Sequence, residues 1–265
     1  MSVLTRTLAR TTQNRFVQGL LQRNVLLSQY LMGVGSGGGV QSSGEHAIFE
    51  YLRRKIEGPY CVFDVGANKG QFLQLALNGL QGTEHTIHCF EPGHETFIYL
   101  EQAASGRPDV HLNNFGLGKE RGEATLHYDE AGSGLASLTK RRLDHLNIAF
   151  EQAETVSMTT IDDYCAVQDI ARIHLLKIDI EGHELDALAG ASRMLAAQAV
   201  DIVTFEFGGC NIDTRTYFQD FWYLFSQSNF DLFRITPLGY FHPLEAYSEL
   251  HEQFRTTNFM AVTRR

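Results

Sequence analysis

Apolar residues along the chain follow two alternating spacings, and this alternation predicts the order of secondary structure. Continuous apolar runs of strand length are typical of buried strands, and they occur at 61–65, 86–91, 110–114, 174–179 and 200–207. Apolar residues three and four apart indicate helices, and they occur at about 70–79, 94–104, 183–197 and 215–227. Strands and helices that alternate in this way build a parallel sheet with helices on both faces. The pattern therefore predicts an α/β fold.

Two regions depart from this alternation. Residues 123–128 and 155–161 alternate polar and apolar side chains like strands at an exposed edge, so 115–161 is predicted as an insertion over the sheet. Near the C-terminus, 231–235 and 259–263 are two further apolar runs separated by a long loop. We expect these two runs to close the sheet as an antiparallel hairpin.

The first 40 residues have a pattern and charge of their own. Apolar residues recur at helical spacing through 1–32, and a glycine-rich stretch follows at 33–39. We interpret 1–40 as a helical appendage with a flexible hinge, and 41–265 as one folded domain. Four arginines and no acid precede residue 45: Arg6, Arg10, Arg15 and Arg23. The helix is expected to pack on the domain or on a partner subunit; weak contact with a membrane surface and a targeting peptide are the alternatives.

Composition restricts the class of protein further. The formal net charge is −9, and residues 45–265 hold all 31 acids against 18 of the 22 basic residues. This balance excludes a nucleic-acid substrate, because phosphate binding needs a concentrated basic surface. The four cysteines form no C-x-x-C pair, which favours free thiols in a reducing compartment. The chain lacks a membrane-spanning apolar run, and a cytoplasmic location is expected.

Four of the predicted strands end in an acid, namely Asp64, Glu91, Asp179 and Glu206. The carboxyl ends of parallel strands meet at one edge of a sheet, where ligands bind. Carboxylates that converge there repel one another unless a cation or a hydroxyl-rich ligand lies among them. We therefore expect the ligand site at this edge.

The glycine-containing turn after the first strand indicates which cofactor this edge binds. A dinucleotide needs G-x-G-x-x-G to hold its pyrophosphate, and the turn at 66–70 lacks this spacing. S-adenosylmethionine carries no phosphate, and its carboxylate fits the free N–H groups of a turn that includes Gly66, Asn68 and Gly70. Its ammonium is compatible with Asp64, which would repel a pyrophosphate.

Two further residues complete the expected cofactor contacts. Glu91 follows the turn by about 20 residues, the position from which an acid holds the hydroxyls of a nucleotide ribose. Asn114 ends the third predicted strand, and we expect its amide to meet the adenine edge.

Several motifs resemble those of a known family. The residues V-F-D-V-G-A-N-K-G at 62–70 with F-E-P at 90–92 resemble the first two motifs of class I S-adenosylmethionine-dependent methyltransferases. The residues T-I-D at 160–162, L-K-I-D-I-E-G-H-E at 176–184 and L-A-G-A at 188–191 are similar to the FkbM family. The resemblance covers about 45–236. It implies a Rossmann-like, doubly wound, mostly parallel seven-stranded sheet and, in most cases, O-methylation of sugars or natural-product hydroxyls.

Methyl transfer to an alcohol needs a base or a metal, because an alcohol is a weak nucleophile. The candidates near the strand ends are Asp179, Glu181, His183 and Glu206. The imidazole of His183 suits a base, unless it faces solvent on its helix. Asp179 and Glu206 have the arrangement of acids that bind Mg²⁺, although Asp179 alternatively orients a ligand and Glu181 alternatively favours the helix N-terminus. The basic residues 140–142 are interpreted as a solvated helix face, and contact with an anionic acceptor such as a sugar phosphate is the alternative.

These observations lead to one functional expectation with two alternatives. The protein is expected to be an S-adenosylmethionine-dependent O-methyltransferase acting on a hydroxyl of a sugar, a glycan or a related small molecule. An N-methyltransferase is less favoured, because the chain lacks the D/N-P-P-Y/F signature of many amino-group methyltransferases. A module that binds the cofactor without turnover is the alternative from another class.

Overall fold

The computed structural model describes residues 3–39 and 42–264, with side chains from residue 5 onward. Eleven strands occur in these residues: β1 (Tyr60–Val65), β2 (His85–Phe90), β3 (Val110–Asn113), β4 (Gly116–Leu117), β5 (Gly122–Tyr128), β6 (Gln152–Thr159), β7 (Ile173–Ile178), β8 (Val200–Phe207), β9 (Phe230–Ile235), β10 (Phe241–Leu244) and β11 (Thr257–Thr263). The main sheet has the order β10-β9-β11-β8-β7-β1-β2-β3. Neighbours from β8 to β3 are parallel, whereas β11 is antiparallel to both β8 and β9.

This sheet confirms the Rossmann-like α/β fold and the antiparallel closing strand. It also contains one strand more than the seven expected within the described chain, because β10 extends the edge beyond β9. The insertion is confirmed as well: β4, β6 and β5 form a separate three-stranded sheet. The short apolar runs that predicted β1, β7 and β8 are buried along almost their whole length, as strands covered on both faces must be.

Ten α-helices occur in the described chain: α1 (Val3–Thr11), α2 (Arg15–Leu31), α3 (His46–Lys55), α4 (Gln71–Gly79), α5 (His94–Ala103), α6 (Ile161–Val167), α7 (Glu184–Ala189), α8 (Ser192–Ala196), α9 (Cys210–Thr214) and α10 (Phe218–Gln227). Helices α3, α4 and α5 pack on one face of the main sheet, whereas α6, α7, α8 and α10 pack on the other. The rings of Phe205 and Phe221 are stacked 4.6 Å apart between β8 and α10. The aromatic spacing in α10 therefore belongs to the core.

The helix predicted over 183–197 is two helices in the structure. The chain is interrupted at Gly190, whose backbone lies so close to the carbonyl of Gly118 that a Cβ would clash with it. The Gly190 carbonyl also accepts a hydrogen bond from the Asp162 N–H at 2.9 Å. In a continuous helix this carbonyl would accept an intrahelical hydrogen bond instead. The interruption therefore follows from the contacts with Gly118 and Asp162.

The glycine-rich stretch before the domain is not a free linker. The N–H groups of Gly35 and Gly37 both donate to the Thr256 carbonyl at 3.0 Å, and Val34 and Ser36 are buried. This stretch therefore packs against the entry to β11. The expected domain boundary falls on residues 40 and 41, which lie outside the described residues, as do the side chains of residues 3 and 4 in the predicted N-terminal helix.

Helix α2 has no buried side chain in the described structure, so it does not pack on the domain as expected. It is held only near its C-terminal end, where the Arg255 Nη1 donates to the Gln29 Oε1 at 2.9 Å. No helix in the described part of the chain combines the length and the apolar character that a bilayer crossing requires. The four cysteines are free thiols, three of them buried.

Candidate active site

A cavity of about 1350 Å³ lies at the carboxyl ends of β1, β2, β7 and β8. Its walls come from the turn after β1, the strand ends, the insertion at 133–146, residues 37–39, 42 and 45 of the N-terminal part and the C-terminal stretch from Phe254 to Asn258. Seven of the ten predicted site residues line it: Gly66, Asn68, Glu91, Asp179, Glu181, His183 and Glu206. The other three, Asp64, Gly70 and Asn114, lie behind this wall. The strand-end site expected from the topology is therefore present.

The turn after β1 approaches β7 so closely that only glycine fits at position 66. Gly66 has a φ of +78°, and a Cβ at this position would clash with the carbonyl oxygen of Asp179. Gly70, with a φ of +89°, begins α4 behind the turn. Asn68 faces the cavity, and its Oδ1 is buried without a hydrogen-bond partner in the described structure. The turn thus presents backbone and one unused acceptor to a ligand.

Glu91 is held by backbone N–H groups on both sides of its carboxylate. Its Oε2 accepts from the Asn68 N–H at 3.0 Å, and its Oε1 accepts from the Gly93 N–H at 2.9 Å. Burial raises the pKa of Glu91 to about 7, although these two hydrogen bonds act in the opposite direction. The carboxylate is therefore fixed at the end of β2 and lines the cavity, as a ribose-binding acid must.

Asp64 is completely buried and does not reach the cavity. Its Oδ1 lies 3.0 Å from the Nζ of Lys177, a lysine on the neighbouring strand β7. Burial raises the pKa of Asp64, and Lys177 opposes this increase. The Lys177 Nζ also donates to the Gly66 carbonyl at 2.8 Å and lies 3.8 Å from Asp179. Asp64 therefore anchors the turn through Lys177; its predicted contact with the cofactor ammonium stays a prediction.

Lys177 is a residue that the sequence analysis missed. It is a charged side chain within an otherwise apolar strand, and this contrast is visible in the sequence as L-L-K-I. Burial would lower the pKa of Lys177, but Asp64 and Asp179 raise it above the ordinary lysine value. The lysine therefore stays charged and links the ends of β1 and β7.

The side chain of Asn114 is hydrogen-bonded to the backbone of the residues that follow β2. Its Nδ2 donates to the carbonyls of Glu91 and Pro92 at 2.9 and 3.2 Å. These two hydrogen bonds fix the backbone of Glu91 and Pro92, and the carboxylate of Glu91 lines the cavity. The expected contact of Asn114 with an adenine edge stays a prediction.

His183 lies in a hydrogen-bonded relay at the other end of the cavity. Its Nδ1 is 2.8 Å from the Asp186 Oδ2, and its Nε2 is 3.0 Å from the Thr139 Oγ1. The hydrogen bond from His183 lowers the pKa of Asp186, which therefore remains ionised beside the imidazole. An Nδ1–H that donates to Asp186 leaves Nε2 as an acceptor directed at a hydroxyl. His183 is thus partly buried and oriented, and it does not face solvent freely.

Glu181 and Glu206 lie close to each other among further charges. Arg141 forms an ion pair with Glu181, and its Nε is 3.6 Å from Asp213. Burial raises the pKa of Glu181 to about 8, and Asp179 adds to the increase. Burial together with Asp179 and Glu181 raises the pKa of Glu206 well above the ordinary value. Arg141 was expected on a solvated helix face; its side chain is only 8% exposed and lies in the cavity wall.

The acids of the cavity do not form an evident metal site. In the part of the chain that the structure describes, no three His, Cys, Asp or Glu side chains are grouped so that they could share a metal ion. The proposed Mg²⁺ ligands Asp179 and Glu206 both line the cavity, but Asp179 lies 3.8 Å from the Nζ of Lys177. A cation beside a carboxylate competes with a metal for it. The role of Mg²⁺ therefore stays a prediction without a supporting donor set.

Glu45 is a second residue that the sequence analysis missed. It lies just before α3, is 8% exposed and lines the cavity together with Ser42 and the glycines at 37–39. Burial raises the pKa of Glu45 to about 7. The available sequence signal was its position: it is the first acid of the chain, and it directly follows S-S-G. That signal does not separate a ligand-binding acid from an acid at the start of a helix.

Stability of the cofactor-free protein is expected to fall as the pH rises from 6.5 to 8. Burial raises the pKa of Glu45, Glu91 and Glu184 to about 7 and that of Glu181 to about 8. A raised pKa makes the folded state bind more protons than the unfolded state. The extra bound proton stabilises the folded state fully below the pKa of the unfolded chain, which is 4.5. This stabilisation is lost as the pH rises through the pKa of the folded state, by up to about 1.4 kcal/mol per pH unit for each group.

Thermal unfolding at several pH values tests this expectation. Burial lowers the pKa of His88 and His174 to about 4, so the destabilisation from these residues develops below pH 6.5. A Glu184→Gln variant should show a shallower slope between pH 6.5 and 8. A melting temperature that rises across this interval would contradict the expectation.

The fold and the site together define a class of protein. It is an α/β protein with a glycine-containing turn after β1 and a buried acid, Glu91, at the carboxyl edge of its sheet. Residues 64–232 match the sequence model described as the Methyltransferase FkbM domain. This match extends over more than half of the chain, so the protein belongs to the FkbM methyltransferase family. The matched range contains all ten predicted site residues, from Asp64 to Glu206, and ends in β9.

Two curated proteins are similar to this chain in sequence. The hexuronic acid methyltransferase AglP of Haloferax volcanii is 24% identical over 164 residues, which cover 62% of this chain and 62% of AglP. The 31-O-demethyl-FK506 methyltransferase FkbM of Streptomyces tacrolimicus is 34% identical over 167 residues, which cover 53% of this chain and 63% of the relative. The similarity thus extends over slightly less than two thirds of each relative.

Two solved structures align with this chain at low sequence identity. A methyltransferase FkbM from Methylobacillus flagellatus aligns with a TM-score of 0.49 and 15% identity over 82% of this chain and 47% of the other. The plantazolicin methyltransferase BpumL, in complex with SAH, aligns with a TM-score of 0.44 and 7% identity over 95% of this chain and 92% of the other.

Proposed function

We propose that the protein transfers a methyl group from S-adenosylmethionine to a hydroxyl of a sugar, a glycan or a related small molecule. The observation that carries this proposal is the presence of His183 and Glu91 in one cavity, where the imidazole Nε2 lies 3.0 Å from a hydroxyl and the Glu91 carboxylate accepts a hydrogen bond from the Asn68 N–H of the glycine-containing turn. The names of the two curated relatives, which concern a hexuronic acid and a 31-O-demethyl compound, support an oxygen acceptor.

The residues present fit the cofactor. Glu91 provides a fixed carboxylate for the ribose hydroxyls, and the turn at Gly66 allows close approach to its backbone. The unpartnered Oδ1 of Asn68 offers an acceptor in the same cavity. S-adenosylmethionine, when bound, would supply an electrophilic methyl group on a sulfonium.

The chain's own contribution to the reaction is proton removal and positioning. His183 Nε2 accepts the proton of the acceptor hydroxyl, and Nδ1–H donates to Asp186, which stabilises the imidazolium that forms. In the structure the Thr139 hydroxyl lies at hydrogen-bonding distance from Nε2, where the acceptor oxygen would also have to lie. Walls contributed by the insertion and the N-terminal stretch hold both reactants in one enclosed space, and such positioning accelerates transfer strongly.

Calorimetry with S-adenosylhomocysteine tests the cofactor assignment. The wild-type protein is expected to bind it, and Glu91→Gln is expected to weaken binding by about 10- to 100-fold, since charge-assisted hydrogen bonds to the ribose are lost. Glu101→Gln, at an exposed position on α5, is the matched control and should bind normally. Binding of NAD in place of S-adenosylhomocysteine would contradict the proposal.

A comparison of metabolites and glycans from a deletion strain and its parent separates an enzyme from a binding module. An O-methyltransferase predicts a product that loses one methyl group in the deletion strain, located on oxygen by fragmentation. A methyl group lost from nitrogen would support the N-methyltransferase alternative. An unchanged methylation profile, together with normal cofactor binding, would support the non-catalytic module.

We further propose that α2 contacts an anionic membrane surface. Phe16, Leu20, Leu27 and Leu31 lie on one side of this helix and are 44% or more exposed, with Phe16 at 75%. Exposed apolar stripes of this kind mark interaction surfaces. Arg23 lies in the same stripe between Leu20 and Leu27, so two copies of α2 paired along it would bring like charges together. Anionic lipid headgroups instead complement the acid-free N-terminal segment.

Sedimentation with vesicles that contain or lack phosphatidylserine tests this proposal. The wild-type protein is expected to bind the anionic vesicles and a Leu20→Ser/Leu27→Ser/Leu31→Ser variant to stay in solution. Substitution is preferable to truncation at residue 40, because Gly37, Gly38 and Gly39 line the cavity. Equal binding by both proteins, or dimerisation of the wild type that the variant lacks, would overturn the membrane proposal.

A further inference from the structure

We propose that Glu45 is part of the cofactor site and that its carboxylate accepts the ammonium group of the cofactor's amino-acid tail. This inference rests on the proposed function, because it assigns a partner to one group of that cofactor. It places a ligand-binding residue outside the matched family region, which begins at residue 64. The cofactor site would then be built from two separate parts of the chain.

Asp64 is poorly placed to bind this ammonium. Its side chain is completely buried, it does not line the cavity, and the Lys177 Nζ lies 3.0 Å from its Oδ1. That Nζ also donates to the carbonyl of Gly66. The Lys177 ammonium thus already lies beside Oδ1 of Asp64. The second oxygen, Oδ2, is buried without a hydrogen-bond partner in the described structure, but Asp64 is not among the residues that line the cavity. The ammonium requires another carboxylate near the same turn.

Glu45 offers such a carboxylate within the cavity. It lines the cavity, and the Ser43 Oγ donates to its Oε2 at 2.6 Å. The charges that act on this carboxyl are Lys177, Asp179 and Asp64, which are located at the ends of β1 and β7. Glu45 therefore lines the same cavity as Gly66, which begins the turn where the amino-acid tail of the cofactor is expected.

The backbone around Glu45 is held firmly by the C-terminal strands. Gly44 has a φ of +78°, and a Cβ at this position would clash with the carbonyl of Thr236, just after β9. Gly37 packs against Thr256, which also accepts the hydrogen bonds of the glycine stretch. A pre-positioned carboxylate loses little freedom when a ligand binds, and this favours a binding role over a merely solvated position.

The charge balance of the cavity favours a cation at Glu45. A buried carboxylate without a full partner is costly, and burial raises the pKa of Glu45 to about 7 for this reason. Asp179, which also lines the cavity, is a like charge and further disfavours an ionised Glu45. An ammonium would offset the repulsion between these two acids. Lys177 does not suffice for both, because it is already paired with Asp64.

The experiment compares two ligands that differ in the amino-acid tail. S-adenosylhomocysteine carries the ammonium, whereas 5′-methylthioadenosine has the same nucleoside and lacks the tail. Glu45→Gln is expected to weaken S-adenosylhomocysteine binding by about 10- to 100-fold in calorimetry and to leave 5′-methylthioadenosine binding unchanged. Glu91→Gln should weaken the binding of both ligands, because the ribose is common to them. Glu57→Gln, an exposed change just after α3, is the control.

The outcomes separate this inference from the proposed function. Normal S-adenosylhomocysteine binding by Glu45→Gln overturns the inference, as does an equal loss for both ligands, which would indicate a damaged wall. Thermal unfolding of each variant identifies such damage, and Ser43→Ala, which keeps the carboxylate but removes its hydrogen bond, should give a smaller loss confined to S-adenosylhomocysteine. If the wild-type protein binds neither ligand, the proposed function itself is wrong and this inference is overturned with it.

Discussion

A Gly66→Ala variant is expected to lose cofactor binding and a large part of its folding stability. The added Cβ would clash with the Asp179 carbonyl oxygen, and the φ of +78° is one that alanine rarely adopts. Strain of this kind and an overpacked contact together cost on the order of 2–6 kcal/mol. The contact joins the turn after β1 to the end of β7, so relief of the clash must move the residues that face the ligand. Calorimetry with S-adenosylhomocysteine and thermal unfolding measure the two effects.

Gly82→Ala is a closely matched control for this change. Gly82 has a φ of +79°, almost the same as Gly66, but a Cβ at this position meets no atom within 4 Å. Only the backbone penalty applies there, about 1–2 kcal/mol, and ligand binding should be normal. If Gly66→Ala were no more harmful than Gly82→Ala, the close approach of the two strand ends could not be what requires glycine.

The main sheet was predictable because its signals are local. Continuous apolar runs identify β1, β7 and β8 without knowledge of any partner, and the acids that follow the runs lie at the same edge in every parallel sheet. The positions of Glu91 and Asp179 in the cavity follow from this topology alone. The extra edge strand β10 was not predicted, because its four residues include Pro243 and show little alternation.

The residues that complete the site could not be predicted, because they come from distant segments. Thr139 reaches His183 from 44 positions away, and Ser137 donates to the Glu181 carbonyl across the same interval. Arg141 belongs to a basic triplet that resembles a solvated surface in sequence. Its burial depends on how the insertion lies over the sheet, and no spacing within 115–161 encodes that position. The glycine stretch is a similar case, because its hydrogen bonds are to Thr256, more than 200 residues later.

The His183 relay shows why the sequence left several candidates for the base. Asp179, Glu181, His183 and Glu206 all follow strand ends, and position alone does not rank them. The structure separates them by their partners: Glu181 is paired with Arg141, whereas His183 has an ionised carboxylate on Nδ1 and a hydroxyl on Nε2. Among these four, the imidazole has both a carboxylate that orients it and an acceptor nitrogen at hydrogen-bonding distance from a hydroxyl, that of Thr139.

His183→Gln is therefore expected to abolish most of the activity while cofactor binding persists. Glutamine retains a similar length and can still hydrogen-bond to the Thr139 hydroxyl, but it cannot take up a proton. Loss of a general base lowers turnover by about 100- to 10,000-fold. The measurement is restoration of the methylated product in a deletion strain and, with that acceptor in hand, kcat of the purified variant. Its affinity for S-adenosylhomocysteine should remain within about twofold of wild type, because proton uptake contributes nothing to cofactor binding.

Substitution of Asp186 tests the same role of His183 with a smaller expected effect. Asp186→Asn leaves the imidazole in place but removes the charge that stabilises the imidazolium, so kcat should fall less than in His183→Gln and its pH profile should shift to lower pH. His242→Gln, an exposed histidine on β10, should change neither activity nor pH profile. A His183→Gln protein that restores full methylation would show that the acceptor proton leaves by another route. Loss of activity on chelation would then direct attention to Asp179 and Glu206, since a metal would lower the pKa of the acceptor hydroxyl without a base.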